Sequence, residues 1–304
     1  MLRHVMSTRV AYDRLPTEQR NPNSLDLDRL SLPQLLRLMS SEDAKALRAV
    51  QSQHKSIAAA VSLIAQALRL GRRLFFVGAG TSGRLGIIEA AECPPTFHTP
   101  PSLIQAIMAG GKSAVFSSRE GAEDDENAGR RAARKQIRKG DVVVGIAASG
   151  VTPFVQAALS TAKQCGAKTV LVTCSAQATI PATLRIAMLV GPEVLTGSTR
   201  LKAGTATKLV LNMLTLGSMV KLGKTHGNLM VDVKPSSKKL KARAIRILQL
   251  FTHTSAAQAA QLLRSAKGKV KVAIVMHQQR MSYGQALQKL SCHSGSLRRT
   301  LKQR

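Results

Sequence analysis

The sequence predicts an α/β fold in three layers, with helices on both faces of a parallel sheet, a helical arm before it and a small helical domain after it. Three observations carry this. Short, continuous apolar runs alternate with segments of helical periodicity, the pattern of strands buried on both faces. Of the 304 residues, 44% are hydrophobic but only 3% aromatic, so small and aliphatic side chains must build the core. Two of the apolar runs end in glycine- and hydroxyl-rich turns, the place where such folds bind ligands.

The elements follow in order. Residues 1–30 are polar and contain RLPTEQRNPNS, whose two prolines and two asparagines predict an extended arm. Ser31 and Pro33 open a helical pattern, and Ser41, Glu42 and Asp43 open a longer one. Its apolar positions Ala46, Leu47, Val50, Ile57, Val61, Ile64 and Leu68 keep helical spacing until Gly71 ends it. Residues 74–77 (LFFV) read as a buried strand running into GAGTSG at 78–83, with a helix expected over 84–91. Further strands are expected at 103–108, 142–147, 169–173 and 186–190, and helices at 120–138, 153–164 and 202–222. Beyond residue 235 the pattern becomes helical and basic. The expected domains are therefore 1–56, the arm and its helices; 57–235, the α/β domain; and 236–304, a small basic helical domain.

Composition excludes several classes. No apolar run reaches the roughly 20 residues of a membrane span, and the opening MLRHVMSTRVAYDRLP lacks a signal-peptide core, so a cytoplasmic chain without membrane contact is expected. Cys93, Cys165, Cys174 and Cys292 show no CxxC spacing; they read as free thiols, and no zinc site is visible. Lys and Arg total 45 against 16 acids, a net charge of +29. Residues 233–304 hold 16 basic residues and no acid. Nucleic acid is one partner such a tail suits. Its basic residues alternate with core-type apolar positions, however, and no nucleic-acid motif accompanies them, which favours solvated faces. Either way the field attracts anionic substrates.

The first turn matches GxGxxG at Gly78, Gly80 and Gly83. A dinucleotide site needs an acid about 20 positions later, at the end of the next strand. That strand ends in MAGG at 108–111. Thr81 and Ser82 instead place hydroxyls beside free N–H groups at a helix start, which suits a terminal phosphate. ASGVTP at 148–153 repeats the design with Ser149, Gly150 and Thr152; taken alone, it is equally an ordinary helix cap. GKS at 111–113 and GKT at 223–225 lack the upstream glycine of a triphosphate loop, with Ala106 and Ser218 in its place.

The few acids stand out. Glu92 sits in AAECPPT beside two prolines expected to form a rigid turn. Glu120, Glu123, Asp124, Asp125 and Glu126 cluster at an expected helix start, where the helix dipole accounts for acids. Two carboxyl groups at one sugar phosphate, one protonated and one ionised, suit acid–base chemistry.

GAGTSGRLGIIEAAECPPTF, EGAEDD, VVVGIAASGVTPFV, EVLTGSTRLKAGTATKLVLNML and GNLMVDV, in this order and after TEQRNPNS, resemble N-acetylmuramic acid 6-phosphate etherases, a family of the sugar isomerase (SIS) fold. The resemblance spans about residues 17–233. It implies a lyase of cell-wall amino-sugar recycling that uses water, without metal or redox cofactor, and yields N-acetylglucosamine 6-phosphate and D-lactate. It implies elimination of lactate from the open-chain aldehyde, followed by addition of water. Carried over by motif, Glu92 is the acid at the lactate oxygen and Glu123 the base at the carbon next to the aldehyde. Thr81, Ser82, Ser149 and Thr152, with Gly150, hold the 6-phosphate or orient the sugar. Ser198, Arg200 and Lys202 border the pocket, Lys202 being either an anion contact or a surface lysine at a helix start. Glu193 either positions substrate or ends its strand, and His98 and His226 either touch substrate or lie at a surface. A homodimer with its site near the subunit boundary is also implied. The basicity of this chain, its acid-free tail and His98 in PPTFHTP depart from the family pattern. Two other readings share the fold: a non-catalytic sugar-phosphate sensor and an aldose–ketose phosphate isomerase. The presence of both Glu92 and Glu123 favours the etherase.

Overall fold

The computed structural model describes residues 13 and 15–302; the rest of the expected arm lies outside the described residues. From residue 15 the arm is built of turns, including single 3-10 turns at Pro22–Ser24 and Leu27–Arg29. Helix α1 (Leu32–Gln51) follows, with Pro33 in its first turn and Gln34 Oε1 accepting from the Ser31 N–H at 2.9 Å. The expected break at Ser41 does not occur. The hydroxyls of Ser40 and Ser41 bond back to the carbonyls of Leu36 and Leu38, at 3.0 and 2.8 Å, so neither competes with the helix. The chain breaks instead at residues 52–53, before α2 (His54–Arg69).

Strand β1 (Leu74–Gly78) leads into α3 (Gly80–Phe97), then β2 (Ile104–Met108), α4 (Glu126–Gln136), β3 (Val142–Ile146), α5 (Pro153–Gln164), β4 (Lys168–Thr173), β5 (Leu184–Ala187) and α6 (Lys202–Lys221). Three of these differ from the expected ranges. Helix α3 already includes Gly80 and continues through Pro94 and Pro95, so the prolines lie inside the helix and form no turn. They withhold donors only from its last turns. His98 then takes the left-handed conformation (φ 52°) that ends the helix, its N–H reaching the Pro94 carbonyl at 3.0 Å. Helix α4 starts six residues later than expected, where Asp125 Oδ1 caps the Ala128 N–H at 2.7 Å. Strand β5 starts two residues early and ends three early, at Ala187; the N–H groups of Thr169 and Thr183 each donate to the other's hydroxyl, at 3.2 and 3.0 Å, which fixes the register at its start.

Among the described residues the sheet has five strands in the order β2-β1-β3-β4-β5. β3, β4 and β5 run parallel, with Val144 opposite Val170 and Val172 opposite Ile186. Phe75, Val143, Val155, Ala158 and Leu171 are wholly buried in the core of one face. Each large apolar side chain buried in this way contributes about 1.5–3 kcal/mol. Gly129 of α4 lets that helix close on α5, since a Cβ there would stand 2.4 Å from the Phe154 carbonyl oxygen.

The chain divides into two compact units. Among the described residues, one comprises 13, 15–60, 75–87 and 106–211; the other comprises 61–74, 88–105 and 212–302. The second contains five C-terminal helices: α7 (Lys238–Thr252), α8 (Ala256–Ser265), α9 (Val270–Gln279), α10 (Tyr283–Cys292) and α11 (Leu297–Lys302). Their apolar faces bury Leu248, Ala259, Ile274, Ala286 and Leu297 in one cluster. Most of their basic residues are exposed. Lys271 is the buried exception, bonded to the carbonyls of Gly223 and Gly295 and paired with Asp232 at 2.7 Å. No described helix is long and apolar enough to cross a membrane.

Candidate active site

β1 and β3 are neighbours, so the turns that leave their C-terminal ends lie side by side. The first is closed by glycines. A Cβ on Gly78 would stand 2.7 Å from the Gly83 nitrogen, and one on Gly83 would stand 2.8 Å from the Gly78 oxygen. This close approach starts α3 directly after the strand. Thr81 and Ser82 fall in its first turn, where backbone N–H groups have no partner within the helix. The second turn needs glycine as well: Gly150 has φ 77°, and a Cβ would meet the Ala178 Cβ at 2.3 Å. Thr152 occupies the cap position of α5, yet its side chain makes no capping bond. Among the described residues the Ser149 hydroxyl receives only a long bond, 3.4 Å, from the Val151 N–H. Both hydroxyls are thus left for a ligand.

A cavity of about 380 Å³ lies at these two helix starts. Thr81, Ser82, Ser149, Thr152 and Glu123 line it together. Among the described residues that line it none is Lys or Arg, so hydroxyls, backbone N–H groups and the positive ends of two helices contribute its attraction for an anion. Glu123 precedes α4, and its carbonyl accepts the Phe154 N–H at 2.9 Å, which ties it to the first turn of α5. Partial burial, then the neighbouring charges of Asp124 and Glu120, raise its pKa above the usual carboxylate range.

The remaining expected residues are placed as follows. Gly150 shapes its turn without lining the cavity. Ser198 lies between two lining residues, Gly197 and Thr199, in the turn before α6, and Arg200 is exposed. Lys202 is neither a surface lysine nor a cavity residue. It is 1% exposed, and its Nζ donates to Glu42 Oε2 at 2.5 Å. Glu42 also accepts from Asn21 and Asn23, each at 2.9 Å, and pairs with Lys45. Glu193 accepts the N–H groups of Lys202 and Ala203 at 3.0 and 2.9 Å, satisfying the start of α6; burial raises its pKa against those two bonds. Glu92 is exposed on α3 and does not line the cavity. His98 borders a separate cleft of about 250 Å³ with Lys224, Asp232, Lys269 and Lys271. His226 packs edge-on against Phe251, with ring centroids 5.1 Å apart.

Sequence reasoning missed one wall of the cavity. Thr17 and Glu18 of the arm line it, as does Thr199. The arm is held by the Gly197 N–H to the Thr17 carbonyl (3.2 Å), Asn21 to the Pro192 carbonyl (3.0 Å) and Ser24 to the Val194 carbonyl (2.8 Å). The TEQRNPNS motif marked this segment as part of the family pattern, although nothing local shows where an extended arm docks.

A parallel sheet whose neighbouring strand ends present two hydroxyl-lined helix starts to one cavity is the arrangement of a SIS-domain protein. A family model described as SIS domain matches residues 124–217, and one described as glucokinase regulatory protein N-terminal SIS domain matches residues 56–163. Among whole-chain relatives, the chain is 50% identical over 291 residues to an N-acetylmuramic acid 6-phosphate etherase of Picosynechococcus sp., covering 95% of this chain and 97% of that one. It is 51% identical over 287 residues to the etherase of Nostoc sp. (93% and 94%), and 53% identical over 266 residues to that of Gloeobacter violaceus (86% and 87%). The chain belongs to the N-acetylmuramic acid 6-phosphate etherase family.

Proposed function

We propose that this chain cleaves the lactyl ether of N-acetylmuramic acid 6-phosphate, releasing D-lactate and N-acetylglucosamine 6-phosphate. The observation that carries the mechanism is the cavity in which two hydroxyl-lined helix starts share a wall with Glu123. The 6-phosphate sits at the starts of α3 and α5, held by Thr81, Ser82, Ser149, Thr152 and free backbone N–H groups. Glu123 removes the proton from the carbon next to the open-chain aldehyde, a task suited to a carboxylate of raised pKa. The electron pair forms a double bond to the neighbouring carbon, whose bond to the lactate oxygen breaks. Glu92 protonates that oxygen, and water then adds to the unsaturated aldehyde to restore a hydroxyl. The role of Glu92 rests on its AECPPT motif. Its exposure on α3 leaves it free to serve a cavity at a subunit boundary, and we infer that the working form is a cytoplasmic homodimer.

Lactate release from N-acetylmuramic acid 6-phosphate tests this for the intact chain beside Glu92→Gln and Glu123→Gln. Lactate from the intact chain, reduced at least about 100-fold in each variant, is the expected result. A folded chain that binds the phosphosugar but releases no lactate would overturn the reading in favour of a sensor.

A further inference from the structure

We propose that Glu18 is a substrate-positioning residue, accepting hydrogen bonds from the hydroxyl or amide donors of the amino sugar in the cavity at the starts of α3 and α5. The inference rests on the etherase reading for the identity of the sugar. It rests on the structure for the placement of the carboxylate.

Glu18 lines the same cavity as Thr81, Ser82, Ser149, Thr152 and Glu123 but reaches it from the arm. Glu18 is exposed, and its carboxylate is steadied by the residue before it. The Thr17 hydroxyl donates to Oε1 at 3.0 Å, and Thr17 itself is buried. A Cβ added to Gly197, another lining residue, would stand 3.3 Å from Oε2, so the glycine leaves room for the carboxylate. One accepted bond leaves lone pairs on both carboxylate oxygens to accept from a ligand. The arm behind it is anchored by Asn21, 3% exposed, whose amide bonds both Glu42 and the Pro192 carbonyl. The ordering cost of this segment is met in folding and not on binding, which preorganises the carboxylate.

Electrostatics assigns the end of the ligand that Glu18 serves. A phosphate dianion belongs at the helix starts, and a carboxylate beside it would repel it. Glu18 therefore faces the neutral part of the substrate. That part offers two O–H groups and one amide N–H. A carboxylate accepting from such donors makes a charge-assisted bond, about twice the strength of a neutral one.

The experiment compares the intact chain with Glu18→Gln, Glu18→Ala, Thr17→Val and Thr17→Ser. It measures kcat and KM for lactate release, inhibition by inorganic phosphate as a probe of the helix starts alone, and the melting temperature. Glu18→Ala is expected to raise KM about 10- to 100-fold while the inhibition constant of phosphate stays within about twofold. Glu18→Gln keeps shape and removes charge, and should show a smaller rise of the same kind. Thr17→Ser retains the orienting hydroxyl and should keep the intact KM, whereas Thr17→Val should raise it. Unchanged kcat and KM in a folded Glu18→Ala chain would sink the proposal, as would a parallel loss of phosphate inhibition, which marks collapse of the cavity. If the intact chain released no lactate, the etherase reading alone would fail. Calorimetric binding of N-acetylglucosamine 6-phosphate to the same variants would then decide the role of Glu18, through the same fold-changes read in Kd.

Discussion

Glu123, the proposed base, has its charged form disfavoured by three features that act together: partial burial, Asp124 beside it and Glu120 nearby. A base must be ionised to act, so the acid limb of kcat/KM should lie above the ordinary carboxylate range and activity should fall as pH drops through it. Asp124→Asn and Glu120→Gln each remove a like charge, which lowers the pKa of Glu123 and should move the acid limb to lower pH. A limb unmoved in both variants would assign it to another group. At this scale the sequence was legible where chemistry is local. The hydroxyls of Thr81, Ser82, Ser149 and Thr152 could be singled out because two turns of six residues each repeat one design, and the structure brings the four to one cavity. Lys202 was not legible, because the partner that buries it, Glu42, lies 160 residues away. Glu18 was passed over for the same reason: its wall of the cavity exists only after the arm has docked.

Among the elements, the arm, α1 and the start of α6 are joined by one buried polar network. Burial alone would raise the pKa of Glu42, but its bonds from Lys202, Lys45, Asn23 and Asn21 outweigh this and bring it down to about 2. A carboxylate whose folded pKa is depressed contributes stability that is present above its unfolded pKa and lost as pH falls through the folded one. The window here runs from about pH 4.5 down to about 2, and the amount at stake is on the order of 3 kcal/mol. Urea midpoints of the intact chain and of Glu42→Gln should therefore converge as pH falls through that window. Glu42→Ala leaves Lys202 buried without its counter-charge and should cost about 3–5 kcal/mol at neutral pH. Equal pH slopes in the intact chain and Glu42→Gln would refute the network as the source. Strands β1 to β4 and α5 were read closely from apolar runs and proline because those signals are local, whereas β5 shares only Ile186 and Ala187 with its expected range. The boundaries of α1, α3 and α4 were not, because Ser41, Pro94 and Glu120 carry break or start signals that backbone bonding in the folded chain overrides.

For the whole molecule, the net charge of +29 is the property that no single site explains. The C-terminal helices show how such a stretch folds: apolar positions enter a shared core while Lys238, Lys239, Lys241, Arg264 and Arg298 stay exposed. Alternation of the two kinds along the sequence made this legible. Among the described residues the cavity is lined by acids and by no basic side chain; under the proposed reading its substrate, an anion at both the phosphate and the lactyl carboxylate, is drawn in by the field of the molecule and held by dipoles. This division has a measurable consequence. Salt shortens the reach of the field from about 30 Å at 0.01 M to about 3 Å at 1 M, but acts weakly on hydrogen bonds inside the cavity. Raising ionic strength across that range should lower kcat/KM by on the order of tenfold, through KM, with kcat held. The triple variant Lys238→Gln, Lys239→Gln, Lys241→Gln removes three exposed charges and should flatten the dependence while leaving kcat unchanged. A kcat/KM indifferent to salt would mean that the cavity captures its substrate by local dipoles alone and that the basic surface takes no part in the reaction.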